Sequence, residues 1–570
     1  MRVIADDGRS TLGASMRGFS GRCLAFVEAS HARALAILLL LSLAAFLPGF
    51  ASLQPMDRDE PRFAQASKQM LETGDFVDIR FQDEARHKKP VGIYWLQSAT
   101  VAAAEALGVP EARTTIALYR LPSLAGALAM VLLTYWAALG VVGRRAAFLA
   151  AAFMGASILL GVEARLAKTD AFLSACSVTV MGGLARVYLR REAQPGPVTL
   201  LAFWGAMAIA ILIKGPIAPM IAGLAALVLS VRERSGRWLL ALRPGLGLVV
   251  VLLVVLPWFV AIALKTGGAF FEEAVGRDML AKVGSGQEKH WGPPGLYLLV
   301  FFGTFWPVAA LAAIAIPFVW RTRREPWVAF CLAWLVPSWL VFEAVPTKLP
   351  HYVLPLYPAV AMLTAGALMA GAISRQRPGA SLVALLIPFI PVGLAAGLAG
   401  FALKFDGTLP YVALPAFAVA VGFAVWGWSA FRRDDAIGTA LLGCVASVAL
   451  SVAVFGLTQP VLRSLQLSPR LAAVARALDC ASPAFVTSGY REPSLVFLVG
   501  TELVMEDGAG AARFLGQGGC RMAFVERREE GAFAAQAAGA GLAPTLVTRV
   551  PGFNINGGRA LDIAVYAVKP

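Results

Sequence analysis

Runs of apolar residues long enough to cross a bilayer recur along nearly all of this chain, and no other feature restricts its fold as much. Inside hydrocarbon every backbone N–H and C=O needs a partner from the chain itself, which leaves helices and closed barrels. A helix spans that core in roughly 20 residues. The runs fall at about 32–53, 115–142, 146–163, 170–188, 198–213, 215–231, 244–265, 294–318, 327–345, 352–372, 382–403, 410–430 and 437–458. They predict a polytopic α-helical membrane protein with about 13 transmembrane helices. Of the 570 residues 58% are hydrophobic and 15% charged, too little charge to cover a soluble body of this length.

The run at 32–53 is too long for the core of a cleavable signal and follows Arg2, Arg9, Arg17 and Arg22. It reads as a retained first helix behind a cytoplasmic segment, 1–31. Counting from there, the cytoplasmic loops are GRR at 143–145, RRE at 190–192, RERSGR at 232–237, RTRRE at 321–325, RQR at 375–377 and RRDD at 432–435. Each is basic, as the positive-inside rule requires. The opposite loops collect acids, histidines and single bases: the first loop at 54–113, EARLAKTD at 163–170, Lys214, 266–292, PTKLPHY at 346–352 and KFDG at 404–407. An odd number of crossings leaves the tail, 459–570, on that same outer side of the membrane domain, 32–458. Strand-like AFVTSG, SLVFLVG, CRMAFVE and DIAVYAV alternate there with helical patterns at 469–478, 510–516 and 533–540, which predicts a small α/β domain.

The net charge of +15 is spread over short clusters at membrane edges rather than gathered in an aromatic-studded patch, which argues against nucleic acid as a partner. Cys23, Cys176, Cys331 and Cys444 fall in or beside apolar runs and suit packing, whereas Cys480 and Cys520 lie in the outer tail, where a disulfide is chemically permitted.

Chemistry concentrates between Asp57 and Trp95, the first charge-dense stretch after a membrane span. Asp57, Asp59 and Glu60 read as a solvated loop or as carboxylates that accept a proton from an acceptor hydroxyl or steady a sugar developing positive charge. Asp59, Glu60, Pro61 and Arg62 form a compact acid–base unit, with Pro61 suited to start a helix. Lys88 and Lys89 precede Pro90 and GIYWLQ, an interfacial anchor or a phosphate clamp that Arg277, Lys348 and Tyr352 would join from other outer loops. Lys168, Asp170 and Lys214 sit at helix ends, where snorkelling and capping are the alternatives to a functional role. His87, His290 and His351 are three of four histidines and all fall on the outer side. Glu84, His87 and His290 are candidate metal ligands, although no HxxxH or HxxE spacing supports them. The chain has no phosphate-binding glycine loop, which argues against a nucleotide-sugar donor.

DEPRFAQ at 59–65, KKPVGIYW at 88–95, RLP at 120–122, Asp170, KGP at 214–216, LPW at 256–258, GRD at 276–278 and KLPHYVLP at 348–355 run in order through the membrane region. In these the chain resembles the polyprenyl-phosphate-dependent glycosyltransferases of the GT-C fold, in the aminoarabinose transferase and protein mannosyltransferase group. The resemblance implies a catalytic acid in the first periplasmic loop at Asp59 and a second acidic position at Asp170. It implies lipid-phosphate ligands at Lys89 and Arg277, with Tyr352 a further phosphate or cavity contact. Lys88 departs from the pattern, since an acidic residue usually precedes the KP lysine in this group.

The expectation is therefore an inverting glycosyltransferase of the bacterial inner membrane, N-terminus cytoplasmic and tail periplasmic. It would move a sugar from a polyprenyl-phosphate donor to lipid A, lipopolysaccharide or another envelope acceptor on the periplasmic face. Asp59, Glu60 and Asp170 would be catalytic, and Lys89, Arg277, Tyr352, Lys88, Arg62 and Lys348 would hold the donor phosphate. No cofactor is required on this reading, and a divalent metal stays an open alternative. The partners are the bilayer, the polyprenyl phosphate and a lipid or glycan acceptor. Protein O-glycosylation by the same fold is a rival, as are a lipid or solute transporter and an envelope-assembly scaffold. A transporter calls for ligands near the bilayer midplane; here the polar residues cluster at one face.

Overall fold

A computed structural model of the chain describes residues 18–55, 58–190, 194–280, 291–480 and 482–568. Asp57, His290 and the arginines at 2, 9 and 17 lie outside them. Helix occupies all thirteen expected positions, but not in one form. Among the described residues nine helices are long and apolar enough to cross a membrane: Ile116–Ala138, Asp170–Leu189, Pro197–Lys214, Pro244–Thr266, Pro326–Ala344, Pro350–Met369, Ala380–Phe405, Tyr411–Arg432 and Ala436–Val461. A tenth is reached if Ser20–Glu28 and His31–Phe46, bent by 120°, count as one span.

The remaining positions are shorter or broken. Ile217–Glu233 stops at 17 residues. The run at 146–163 divides into Arg144–Gly155 and Ile158–Glu163, where Ser157 accepts a hydrogen bond from the Leu160 N–H and caps a new helix. The run at 294–318 divides into Leu296–Thr304 and Ala309–Arg321 around Pro307. Apolar composition alone does not mark such breaks, because the residues either side are equally suited to the bilayer.

Two helices of the first outer loop pack onto the membrane bundle. Asp59–Thr73 carries acids in its first turn and Pro61 near its start, both favourable at a helix N-terminus. It buries Phe63, Ala66 and Met70 and ends at Gly74, whose φ of 72° is the left-handed stop that glycine takes without strain. Gly92–Ala106 packs against it, and a two-residue hairpin, β1 (Arg80–Phe81) with β2 (Glu84–Ala85), lies between them.

The tail is an α/β domain. Its strands are β3 (Ala484–Ser488), β4 (Val504–Glu506), β5 (Arg521–Glu526), β6 (Thr545–Asn554) and β7 (Arg559–Ala567), in the order β4-β3-β5-β7-β6. β3 runs parallel to both β4 and β5, and β7 pairs antiparallel with β5 and β6. SLVFLVG, expected as a strand, is instead the helix Pro493–Val499. Proline at its first position and Glu492 before it set a helix start that outweighs the strand preference of the run. Cys480 and Cys520 form a disulfide with Cα atoms 6.4 Å apart, tying the entries of β3 and β5 together.

Candidate functional site

The outer polar residues converge at the N-terminus of the Asp59–Thr73 helix, where its first two residues part. Glu60 is fully buried. Its Oε1 and Oε2 accept from Arg120 Nε and Nη2 at 2.6 and 3.0 Å, and Oε1 also accepts from the Ala167 N–H at 3.0 Å. Arg120 in turn donates to the carbonyls of Phe50 and Leu53 at 2.9 and 2.7 Å. Both oxygens of Glu60 are thus committed to pinning three segments together.

Asp59 keeps 41% of its side chain accessible, with Arg62 Nη1 3.7 Å from Oδ1. Burial pushes its carboxyl up, but the positive charges of Lys168, Arg86 and Arg62 outweigh that and hold it below the usual carboxylate range. Asp59 is therefore an ionised carboxylate open to an incoming group and ringed by cations. Arg86, which the sequence reading did not single out, is buried beneath this loop with its guanidinium 5.1 Å over the Phe63 ring.

Beneath Asp59 lies a closed acid–base layer. Lys168 Nζ is 3.2 Å from Glu163 Oε1, and Lys214 Nζ is 2.5 Å from Asp170 Oδ1. His351 bridges them, Nδ1 3.6 Å from Glu163 Oε1 and Nε2 3.8 Å from Asp170 Oδ2. Tyr352 offers its ring to Lys214 at 5.1 Å. Possible ligand atoms of Glu163, Asp170 and His351 lie within 4.8 Å of one another, close enough for one cation. Each carboxylate already faces a lysine, however, so the layer is charge-balanced as it stands. Glu163 was not a sequence candidate, because only the fold brings it within reach of residues 168 and 351.

Glu84, His87 and His290 do not come together as a ligand set among the described residues. Glu84 is exposed on β2, His290 lies outside the described residues, and His87 is buried with Nε2 2.7 Å from Asp78 Oδ1 and Nδ1 3.9 Å from Glu273 Oε2.

The cations proposed for a phosphate occupy different settings. Lys89 Nζ reaches back to the Lys88 carbonyl at 3.0 Å, at the entry to the Gly92–Ala106 helix. Arg277 is 79% exposed on the Glu272–Leu280 helical segment, 3.4 Å from Glu272. Lys348 has another task. Its buried ammonium donates to the carbonyls of Glu343 and Val345 at 2.7 and 2.9 Å, with that of Phe342 at 3.4 Å. It caps the C-terminal end of Pro326–Ala344, where the helix dipole favours a cation. Arg165 is a second buried hub missed from the sequence, donating to the carbonyls of Ala45, Pro48 and Gly161 and to Ser451 Oγ.

The tail domain holds the start of the same helix, its second turn and the neighbouring β1–β2 hairpin from outside. Arg58 Nη2 donates to Glu492 Oε1 at 2.9 Å, Gln65 Nε2 to Thr501 Oγ1 at 2.8 Å, and Gln82 Nε2 to the carbonyls of Thr501 and Leu503, both at 2.8 Å.

Residues 57–269 match the family described as dolichyl-phosphate-mannose-protein mannosyltransferase. The chain is 28% identical over 415 residues to an undecaprenyl phosphate-α-4-amino-4-deoxy-L-arabinose arabinosyl transferase of Pectobacterium atrosepticum, covering 69% of this chain and 70% of the relative. A protein of the same description from Pseudomonas paraeruginosa is 28% identical over 342 residues, 59% of each chain. Among solved structures, ArnT from Cupriavidus metallidurans bound to undecaprenyl phosphate superposes with a TM-score of 0.69 at 21% identity, covering 96% of this chain and 98% of that one. Its apo form gives 0.70 at 19% identity.

Proposed function

We propose that this membrane glycosyltransferase, of the aminoarabinose transferase and protein mannosyltransferase group, takes its sugar from a polyprenyl-phosphate donor and passes it to an envelope glycolipid such as lipid A on the periplasmic face of the bacterial inner membrane. The observation that carries the reading is the contrast at one helix start: Asp59 is accessible and ionised, whereas Glu60 beside it is buried and spent on Arg120. An accessible carboxylate held ionised by nearby cations has the state needed to receive a proton.

Asp59 takes the proton of the acceptor hydroxyl as that oxygen bonds to the anomeric carbon. The bond from that carbon to the phosphate oxygen breaks, and its electron pair leaves with polyprenyl phosphate, inverting the anomeric centre. Lys89 and Arg277 neutralise the departing phosphate, with Tyr352, Lys88 and Arg62 as further contacts, so charge stabilisation lowers the barrier. Glu60 and Asp170 act by position, Glu60 through Arg120 and Asp170 through Lys214. The periplasmic orientation draws support from the basic loops and from the Cys480–Cys520 disulfide, a bond that persists outside the cytoplasm.

Mass spectrometry of envelope lipids from cells with and without the protein tests this reading, with the expected result that one glycolipid loses a single sugar increment. The match to the protein mannosyltransferase family favours a second reading, transfer to a protein hydroxyl. Unchanged glycolipids together with a lost increment on a periplasmic protein would select it.

A further inference from the structure

The tail domain contains a feature that the reaction just described does not use. The chain leaves β3 for β4 on one side and then crosses back to β5 on the other, with all three strands parallel. Such a reversal opens a crevice at the carboxyl ends of the strands, the common place for ligands in open α/β sheets. A cleft of about 500 Å³ lies there. Its charged walls come from Arg491 after β3, Glu506 and Asp507 at the end of β4, Glu529 after β5 and Arg559 at the start of β7. Arg58, the residue before Asp59, lines it from the membrane domain.

Some of these groups are occupied. Glu492 accepts from Arg58, Asn554 and Asn556, fastening the cleft to the first loop. Asp507 Oδ1 takes the Gly510 N–H at 2.6 Å and Glu529 Oε2 the Gly508 N–H at 2.9 Å, each using one oxygen. The side chains of Arg491, Glu506 and Arg559 have no hydrogen bond or ion pair to any described residue, although they line one concave surface. An anion would meet the carboxylates, and a metal ion would meet the guanidinium groups. A polyhydroxylated group suits both, since each hydroxyl can donate to a carboxylate and accept from an arginine.

We propose that this cleft binds the saccharide headgroup of the acceptor and delivers it to Asp59 through the wall that Arg58 shares with the catalytic loop. The inference rests on the glycolipid reading above and adds where the acceptor is recognised. Donor and acceptor then bind to different parts of the chain, the donor phosphate to the membrane domain and the acceptor headgroup to the tail.

The test uses the full chain in lipid vesicles with donor present. The probe is the water-soluble headgroup released from envelope glycolipid by alkaline deacylation. It should inhibit wild-type transfer in competition with intact acceptor. Glu506→Gln combined with Arg559→Met removes two groups that make no described contact, so the fold keeps its bonds. This variant should raise the acceptor KM about tenfold, as expected for loss of a hydrogen bond to a charged group. Headgroup inhibition should weaken to match, while donor affinity and kcat at saturating acceptor hold. Unchanged acceptor KM and unchanged inhibition in the variant, with wild type turning over, would overturn the cleft assignment alone. A wild type that transfers to no glycolipid would instead remove the proposed function, and this inference with it.

Discussion

The polar residues on the outer side of the membrane domain divide into a buried set, the floor, and an accessible set, the rim, which are built from the same residue types and do different things. On the floor, Glu60 with Arg120, Arg165 with four oxygen acceptors, and Lys348 with backbone carbonyls are buried and bonded from every side. At the rim, Asp59 and Arg277 remain accessible, 41% and 79% respectively. A charge withdrawn from water survives only when partners replace the solvent, and a group so partnered has nothing left for a substrate. The comparison teaches that a charge can meet a substrate only where water still reaches it.

The largest effect that would sharpen this contrast is on the floor. Glu60→Gln leaves the Arg120 guanidinium buried without its counter-charge, which should cost about 3–5 kcal/mol of stability. A variant that unfolds at the wild-type temperature would break the assignment of Glu60 as a fastener. Next comes the covalent floor of the tail. Replacing Cys480 and Cys520 with serine opens a loop whose ends are 40 residues apart and should cost the domain about 2–4 kcal/mol, read as earlier proteolysis of the tail under native conditions.

At the rim, Lys89→Ala should weaken binding of polyprenyl phosphate about 10- to 100-fold while the unfolding temperature holds, the range expected for a lost bond between charged partners. Equal affinity in variant and wild type would remove Lys89 from the clamp. Lys348→Met should do the reverse: a loss of about 1–2 kcal/mol of stability with donor affinity retained per folded molecule.

Acidity supplies the mildest probe. The lowered Asp59 carboxyl is ionised down to pH values below the ordinary aspartate range of about 4, so turnover should stay flat from neutrality and fall only beneath that point. The stability linked to the same shift is present above the unfolded value and is lost as pH falls through the folded one. An acid limb centred near pH 6 would mean that another group titrates in the reaction.

Much of this architecture is legible in the sequence, because a membrane span is a long, one-sided constraint that composition alone satisfies. The breaks at Ser157 and around Pro307 are not legible, since they depend on caps and packing inside runs that remain apolar throughout. Asp59 stands out because it is an acid opening a helix at a membrane edge. The duties of Glu60 and Lys348 do not, because their partners lie 60 residues away in the first case and on backbone carbonyls in the second. Glu163 was passed over for the same reason: its neighbours Lys168 and His351 are assembled by the fold.

The most direct test of the division between rim and floor is the turnover of Asp59→Asn, measured per folded molecule in lipid vesicles alongside its unfolding temperature and donor affinity. The account predicts transfer reduced by roughly 10²–10⁴-fold, the range general acid–base groups supply, with stability and donor binding kept. Wild-type turnover in that variant, or turnover lost only in step with folding, would contradict it.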